Sequence, residues 1–268
     1  MLRSLISKEL RDRKWSLLAY TMISVMFMVM YIGLFPSIKK ESANYTQLFE
    51  SMPKALSETF DIQASSFLHL ESFLSIELFS ITWPLLAALL AISRAGSSVT
   101  GEMEQGSMGM LLSLPVSRRQ LLKAKVAAGA LSIEAFVLAS TLLAIPLAAA
   151  FGQDFIVSRY FLLALYGSLY ALSIYAISLV IACAVSERSK VYFALGGGLV
   201  IMYTLNIISG LRSNLEWLQY ASIFHYFNAS DPLSRGQVSW ASLAVFTGLI
   251  MSGGLTAFYQ FQKRDIVV

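Results

Sequence analysis

Cysteine is nearly absent from this chain of 268 residues. Cys183, alone inside an apolar run, excludes an internal disulfide and a cysteine-rich metal site. Histidine is as scarce: His69 and His225 stand apart, and neither begins an H-E-x-x-H or comparable ligand spacing. They read as interfacial contacts, and no metal site is expected. No G-x-x-x-x-G-K-[ST] run occurs, so the chain has no phosphate-cradling loop of a nucleotide hydrolase. Charge is the third shortage. Only 13% of residues are Asp, Glu, Lys or Arg, about half of the roughly 25% that soluble domains carry.

What fills the chain instead is apolar. Hydrophobic residues make up 56% and the mean hydropathy is +0.65. Several separate runs approach the roughly 20 residues that cross a bilayer as helix. The sequence predicts an all-α polytopic membrane protein, a single transmembrane domain over residues 1–268 with six spans. They fall at about Ser16–Phe35 (ended by Pro36), Phe73–Ile92, Val126–Phe151, Tyr160–Val185, Val191–Ser209 and Trp240–Phe261. Pro84 and Pro146 are expected to kink their helices. The first run is too long, and lacks the small-residue site, for a cleaved signal peptide.

The net charge of +4 forms no continuous basic face, so nucleic acid is not an expected partner. It sorts by side instead. With both termini inside, 14 of the 20 Lys and Arg residues fall on inner segments. The six on outer segments are Lys39, Lys40, Lys54, Arg159, Arg212 and Arg235. The positive-inside rule therefore places both ends in the cytosol.

Three segments outside the spans are patterned. Residues 1–14 set Leu2, Leu5, Ile6 and Leu10 on one helical face, with Arg3, Lys8, Arg11 and Lys14 elsewhere. That is an interfacial helix with its bases near anionic headgroups. Tyr45, Leu48, Phe49, Met52, Leu56 and Phe60 suggest a capping helix in the first outer loop, interrupted near Pro53. Leu215–Tyr226 is apolar but too short to cross, which suits a re-entrant or interfacial hairpin.

The most organised stretch is Gly101–Lys125, GEMEQGSMGMLLSLPVSRRQLLKAK, between the second and third spans. Glu102 and Glu104 suit the first turn of a short helix beginning about Glu102. Met103, Met108, Met110, Leu111 and Leu112 are spaced to fill a groove. Pro115 ends that helix, and Ser117 is placed to cap a new one from Arg118. A cytosolic loop of this density offers a grip to something that pulls on the flanking spans.

This run resembles the loop of type-two ABC exporter permeases, which reads G-E-x-E-x-G-T, then L-L-x-x-P-v-s-R, then a lysine. The matching residues are Gly101, Glu102, Glu104, Gly106 and Ser107, then Leu111, Leu112, Pro115, Val116, Ser117 and Arg118, with Lys125 last. Ser107 stands for the usual threonine, and Gly109 stands where an acid is common. The amphipathic amino terminus, Phe49–Leu56, six spans and the Ser222–Phe227 stretch extend the likeness. The resemblance implies a permease half that pairs with a second copy or paralogue and docks a cytosolic ATPase. It implies contact with that ATPase through Glu102, Glu104, Gly106, Ser107, Met108, Leu111 and Leu112. ATP and magnesium would then be bound by the partner, with no cofactor in this chain and no catalysis by it.

Gly196, Gly197 and Gly198 lie in a span, where close helix packing explains them better than phosphate binding. Polar groups at membrane depth are the only hints about cargo. Glu134 lies about 12 Å into the third span; Tyr166, Tyr170 and Ser173 line one face of the fourth, and Asn206 lies late in the fifth. Each is either a pathway residue or a hydrogen bond between helices. A motor-independent secondary transporter or channel is the competing reading, for which inverted repeats would speak. An anchor or sensor that binds an ATPase without moving cargo is a third.

Overall fold

A computed structural model of the chain describes residues 2–40, 69–104, 106, 117–211 and 213–263. Its described elements are helical. α1 spans Leu2–Asp12 and α2 Lys14–Lys40; α3 (Leu70–Glu77) and α4 (Thr82–Ala95) follow. α4 runs on through a π-helical turn, Gly96–Thr100, into Gly101–Glu104. α5 is Arg118–Leu142, α6 Ala144–Ala150, α7 Val157–Ala184, α8 Arg188–Leu211 and α9 Trp240–Lys263. Five helices are long and apolar enough to cross a membrane, six if the bent α3–α4 pair is one span. The expected capping helix around Tyr45–Phe60 lies outside the described residues.

α7 is the axis of the bundle. Two thirds (67%) of its most apolar window is buried, against 17% for α2 and α8. Helices whose flanks face lipid keep their leucines outward, because the bilayer core is as apolar as they are. Phe193, Val200, Met251 and Leu255 are exposed in that sense.

The prolines act differently from expectation. α2 does not end at Pro36 but continues to Lys40. One missing N–H is offset there by the buried Phe35, with Lys39 ammonium 5.8 Å from its ring, and by two lysines at the negative helix end. The second span is not continuous: α3 and α4 meet at a 53° bend. Pro84 is the third residue of α4, where a missing N–H costs little, so the chain breaks before it instead of kinking at it. Leu78 and Phe79 both donate to the Leu74 carbonyl across the break. Pro146 holds the same third position in α6, after an interruption at Leu143.

The stretch before α9 is a 3₁₀ segment, Ser213–Ala221, a run of turns, and a π-helical turn, Asp231–Arg235. Its middle is driven into the bundle. Phe227 stacks on Trp83, Tyr166 and Tyr170 at 4.5–5.6 Å between ring centres. Aromatic pairs at such separations add to the gain from burying the rings themselves.

Among the described residues close packing of Gly196, Gly197 and Gly198 is not found: a Cβ at any of them meets nothing within 4 Å.

A polar clamp at one end and a cavity at the other

α1 and the end of α9 lie at one end of the bundle, called proximal here. Arg119 Nε donates to Gln262 Oε1 there at 3.0 Å. α5 starts with a complete capping box at this end: Ser117 Oγ accepts from Gln120 N–H, and Gln120 Oε1 accepts from Ser117 N–H. The serine was legible in the sequence, and Gln120 three residues on was the other half of the signal.

Two turns further, Lys125 is buried, with 5% of its side chain exposed. Its ammonium lies 3.3 Å from Glu9 Oε2 of α1 and 3.3 Å from Glu102 Oε1. Glu9 also accepts from Arg13 Nε at 3.0 Å. Arg13 in turn donates to the Ser97 carbonyl of the π-helical turn, and Arg94 Nη2 donates to the Arg13 carbonyl at 3.0 Å. Arg188 at the start of α8 donates from Nη2 to the Gly101 carbonyl at 3.1 Å, and its Nε pairs with Glu104 Oε2 at 3.2 Å. Charges from four segments thus converge on the last turns of the α4 run.

This changes the reading of the motif's acids. They do not open a helix; Gly101–Glu104 closes the helix that began at Thr82. Carboxylates at a helix C-terminus are repelled by its dipole. Lys125 and Arg188 reverse that penalty, and Glu102 consequently faces inward. Gly101 leaves room for Arg188, since a Cβ there would lie 2.6 Å from its guanidinium. Gly106 has φ +69°, the left-handed region that favours glycine, and its N–H donates to the Met103 carbonyl at 3.1 Å. Ser107, Met108, Leu111 and Leu112 lie outside the described residues.

α1 packs along α5 with Leu5, Ile6 and Leu10 half-buried, leaving Arg3, Lys8, Arg11 and Lys14 exposed. Its apolar face is therefore spent on protein as well as on the interface. Glu9, Arg13, Arg94 and Arg188 were missed as site residues. An acid four residues before Arg13 on an apolar-faced helix was the available hint.

The interior positions separate. Glu134 Oε2 accepts from Ser168 Oγ at 2.8 Å, joining α5 to α7. Tyr166 and Tyr170 are fully buried; the first donates to the Tyr226 carbonyl and the second to the Pro84 carbonyl at 3.3 Å. Asn206 instead lines a cavity of about 430 Å³ at the distal end. Ser75, Ser80, Tyr203, Glu216, His225 and Asn228 share that cavity. Its wall is partly aromatic: Phe224 and Phe227 line it and meet Tyr170 at a tilt, 6.4 and 4.5 Å between ring centres. Burial lowers the pKa of His225, whose ring meets Tyr220 and Tyr226 edge-on at 5.2 and 5.1 Å. Among the described residues no cluster of His, Cys, Asp or Glu could hold a metal ion.

A protein-family model described as "ABC-2 family transporter protein" matches residues 3–266. No curated protein matches the chain.

Proposed function

The chain belongs to the ABC-2 transporter family and is a membrane subunit of an ABC transporter, and from that premise we propose that it is a permease half of an exporter. In this reading a separate cytosolic ATPase binds ATP and magnesium, docks on residues 102–112, and drives the spans. The permease pairs with a second copy or paralogue to complete the pathway, sits in the inner membrane, and keeps both termini in the cytosol. The observation that carries the reading is the proximal clamp: the short run Gly101–Glu104 is tied to α1, α5 and α8 through Glu9, Lys125 and Arg188. A pull on such a run moves several helices together, which is what exchange between two access states requires.

Cargo leaves on the distal side, and the polar cavity holding Asn206 and His225 is the surface it meets there. Tyr166 and Tyr170 act beneath it as packing, and Glu134 acts as a hydrogen-bond acceptor between helices. The broken second span supplies a discontinuity of the kind secondary transporters use, but Pro84 accounts for it and the family membership favours a separate motor.

Co-purification tests the reading. The tagged chain, produced together with a candidate ABC ATPase subunit from the same cell, is expected to retain that ATPase through detergent extraction. A catalytically dead ATPase is expected to bind equally and abolish transport. Transport that persists with the dead ATPase would instead establish a motor-independent carrier.

A further inference from the structure

Glu102 carries one of the motif's two carboxylates, and its Oε1 is turned towards Lys125. Lys125 is the only group that touches both Glu9 of α1 and Glu102 of the α4 run among the described ion pairs. These acids come from segments 116 and 23 residues away in sequence. Resting on the reading of residues 102–112 as the motor-facing loop, we propose that Lys125 is a positioning residue that clamps the amino-terminal helix to the root of that loop, so that both meet the ATPase as one body.

The chemistry favours a lysine for this task. An ammonium is a compact charge with three donors and no fixed plane, so it serves two carboxylates from different directions. Its burial keeps solvent and salt from screening the pairs, whereas exposed pairs are screened. The clamp is closed on its other side by backbone. Arg13 holds Glu9 and the Ser97 carbonyl, and Arg94 holds the Arg13 carbonyl. Movement of Glu102 therefore pulls on α1 through Glu9 and on α5 through Lys125. Exposed Arg3, Lys8 and Arg11 on the outer face of α1 travel with it.

The test uses the complex of the full chain with its ATPase, in lipid nanodiscs. Spin labels are placed at Lys8→Cys and Glu104→Cys, both exposed, in a Cys183→Ala background, and their distance distribution is measured by pulsed resonance. The parent is expected to give one narrow population. Lys125→Met and Glu9→Gln are each expected to broaden it and to lower the amount of ATPase retained by roughly tenfold, within the range for residues of one ion-pair network. Lys125→Arg, which keeps the charge but in a planar guanidinium, is expected to restore both readouts only in part, which a demand for bulk alone would not produce. Should Lys125→Met not assemble, Glu9→Gln decides, because it leaves the pair with Glu102 in place. Distributions as narrow as the parent's in Glu9→Gln, with retention unchanged, overturn the clamp. A parent chain that retains no ATPase overturns the motor-driven reading instead, and the distance distributions then still judge the clamp by themselves.

Discussion

Gly129 in α5 lies directly against Tyr175 in α7: a Cβ built on the glycine would overlap the phenol oxygen. That oxygen in turn lies 3.5 Å from the carbonyls of Lys125 and Val126. The tyrosine is fully enclosed, so it has nowhere to retreat. The seam beneath the clamp is thus set by the absence of one methyl group.

Gly129→Ala is accordingly expected to destabilise the protein by about 1–3 kcal/mol, the usual cost of overpacking. Thermal unfolding of the purified chain measures it. Gly254→Ala, where a Cβ meets nothing within 4 Å among the described residues, is the control and should keep or raise the midpoint, as alanine does at an open helix position. Tyr175→Leu combined with Gly129→Ala should recover much of the loss. Equal midpoints for Gly129→Ala and Gly254→Ala would show that the seam is looser than this geometry requires.

Glu134 and Ser168 join α5 to α7 by one hydrogen bond. Glu134→Gln keeps a carbonyl acceptor at that position, so assembly and the ATPase activity of the complex should stay near the parent's. Glu134→Leu and Ser168→Ala should each lower stability, and the double variant by less than their sum, because both remove the same bond. A transport defect in Glu134→Gln with stability intact would reassign the carboxyl to the cargo path.

The fold was legible in the sequence wherever one physical rule acted alone. Hydropathy located the long helices because a bilayer needs length and little else. Ser117 read as a cap because its hydroxyl answers a local need. The acids of the motif did not read correctly, since their partners, Lys125 and Arg188, lie 23 and 84 residues further on. Local rules put Glu102 and Glu104 at a helix start, and tertiary charges allow them at a helix end. Pro84 was expected to kink a continuous span; the break came three to six residues earlier because a first-turn proline costs nothing. Asn206 was singled out for its depth alone, and nothing local joined it to His225 or Glu216 in one cavity.

His225 makes the distal hairpin sensitive to acid. Burial lowers its pKa in the fold below the ordinary 6.5, so the neutral ring is the form the structure favours. The hairpin is fully stable above about pH 6.5, and loses stability as the pH falls below that value, where the unfolded ring takes a proton first. Protection factors for hydrogen exchange over residues 213–230, corrected for the intrinsic pH dependence of amide exchange, should be lower at pH 5.5 than at pH 7.5 in the parent, and His225→Gln should remove the difference. The same acid-induced loss of protection in His225→Gln would place the sensitivity elsewhere.

Sidedness follows from the proposed docking. A cysteine introduced at residue 45 should react with an impermeant maleimide in intact cells, and one at residue 107 only after the cells are opened. Cys183 is buried and adds no background. The reverse pattern would put the loop where no cytosolic ATPase reaches it.

Leu111→Asp tests the loop as the mechanical link. A large apolar side chain fully buried in a groove contributes roughly 1.5–3 kcal/mol, while an exposed ion pair adds only about 0–1 kcal/mol. With Glu102 turned to Lys125, and Glu104 paired with Arg188, the acids have less to give a partner than the leucines do. Binding of the ATPase should therefore depend more on Met108, Leu111 and Leu112 than on charge. Leu111→Asp puts a carboxylate into the groove without touching a span, so the chain should still insert and reach its normal level in membranes. Capture of the ATPase and transport should be lost together, whereas Glu104→Gln should reduce capture only mildly. Full capture by Leu111→Asp, with transport intact, would show that force enters the spans by another route.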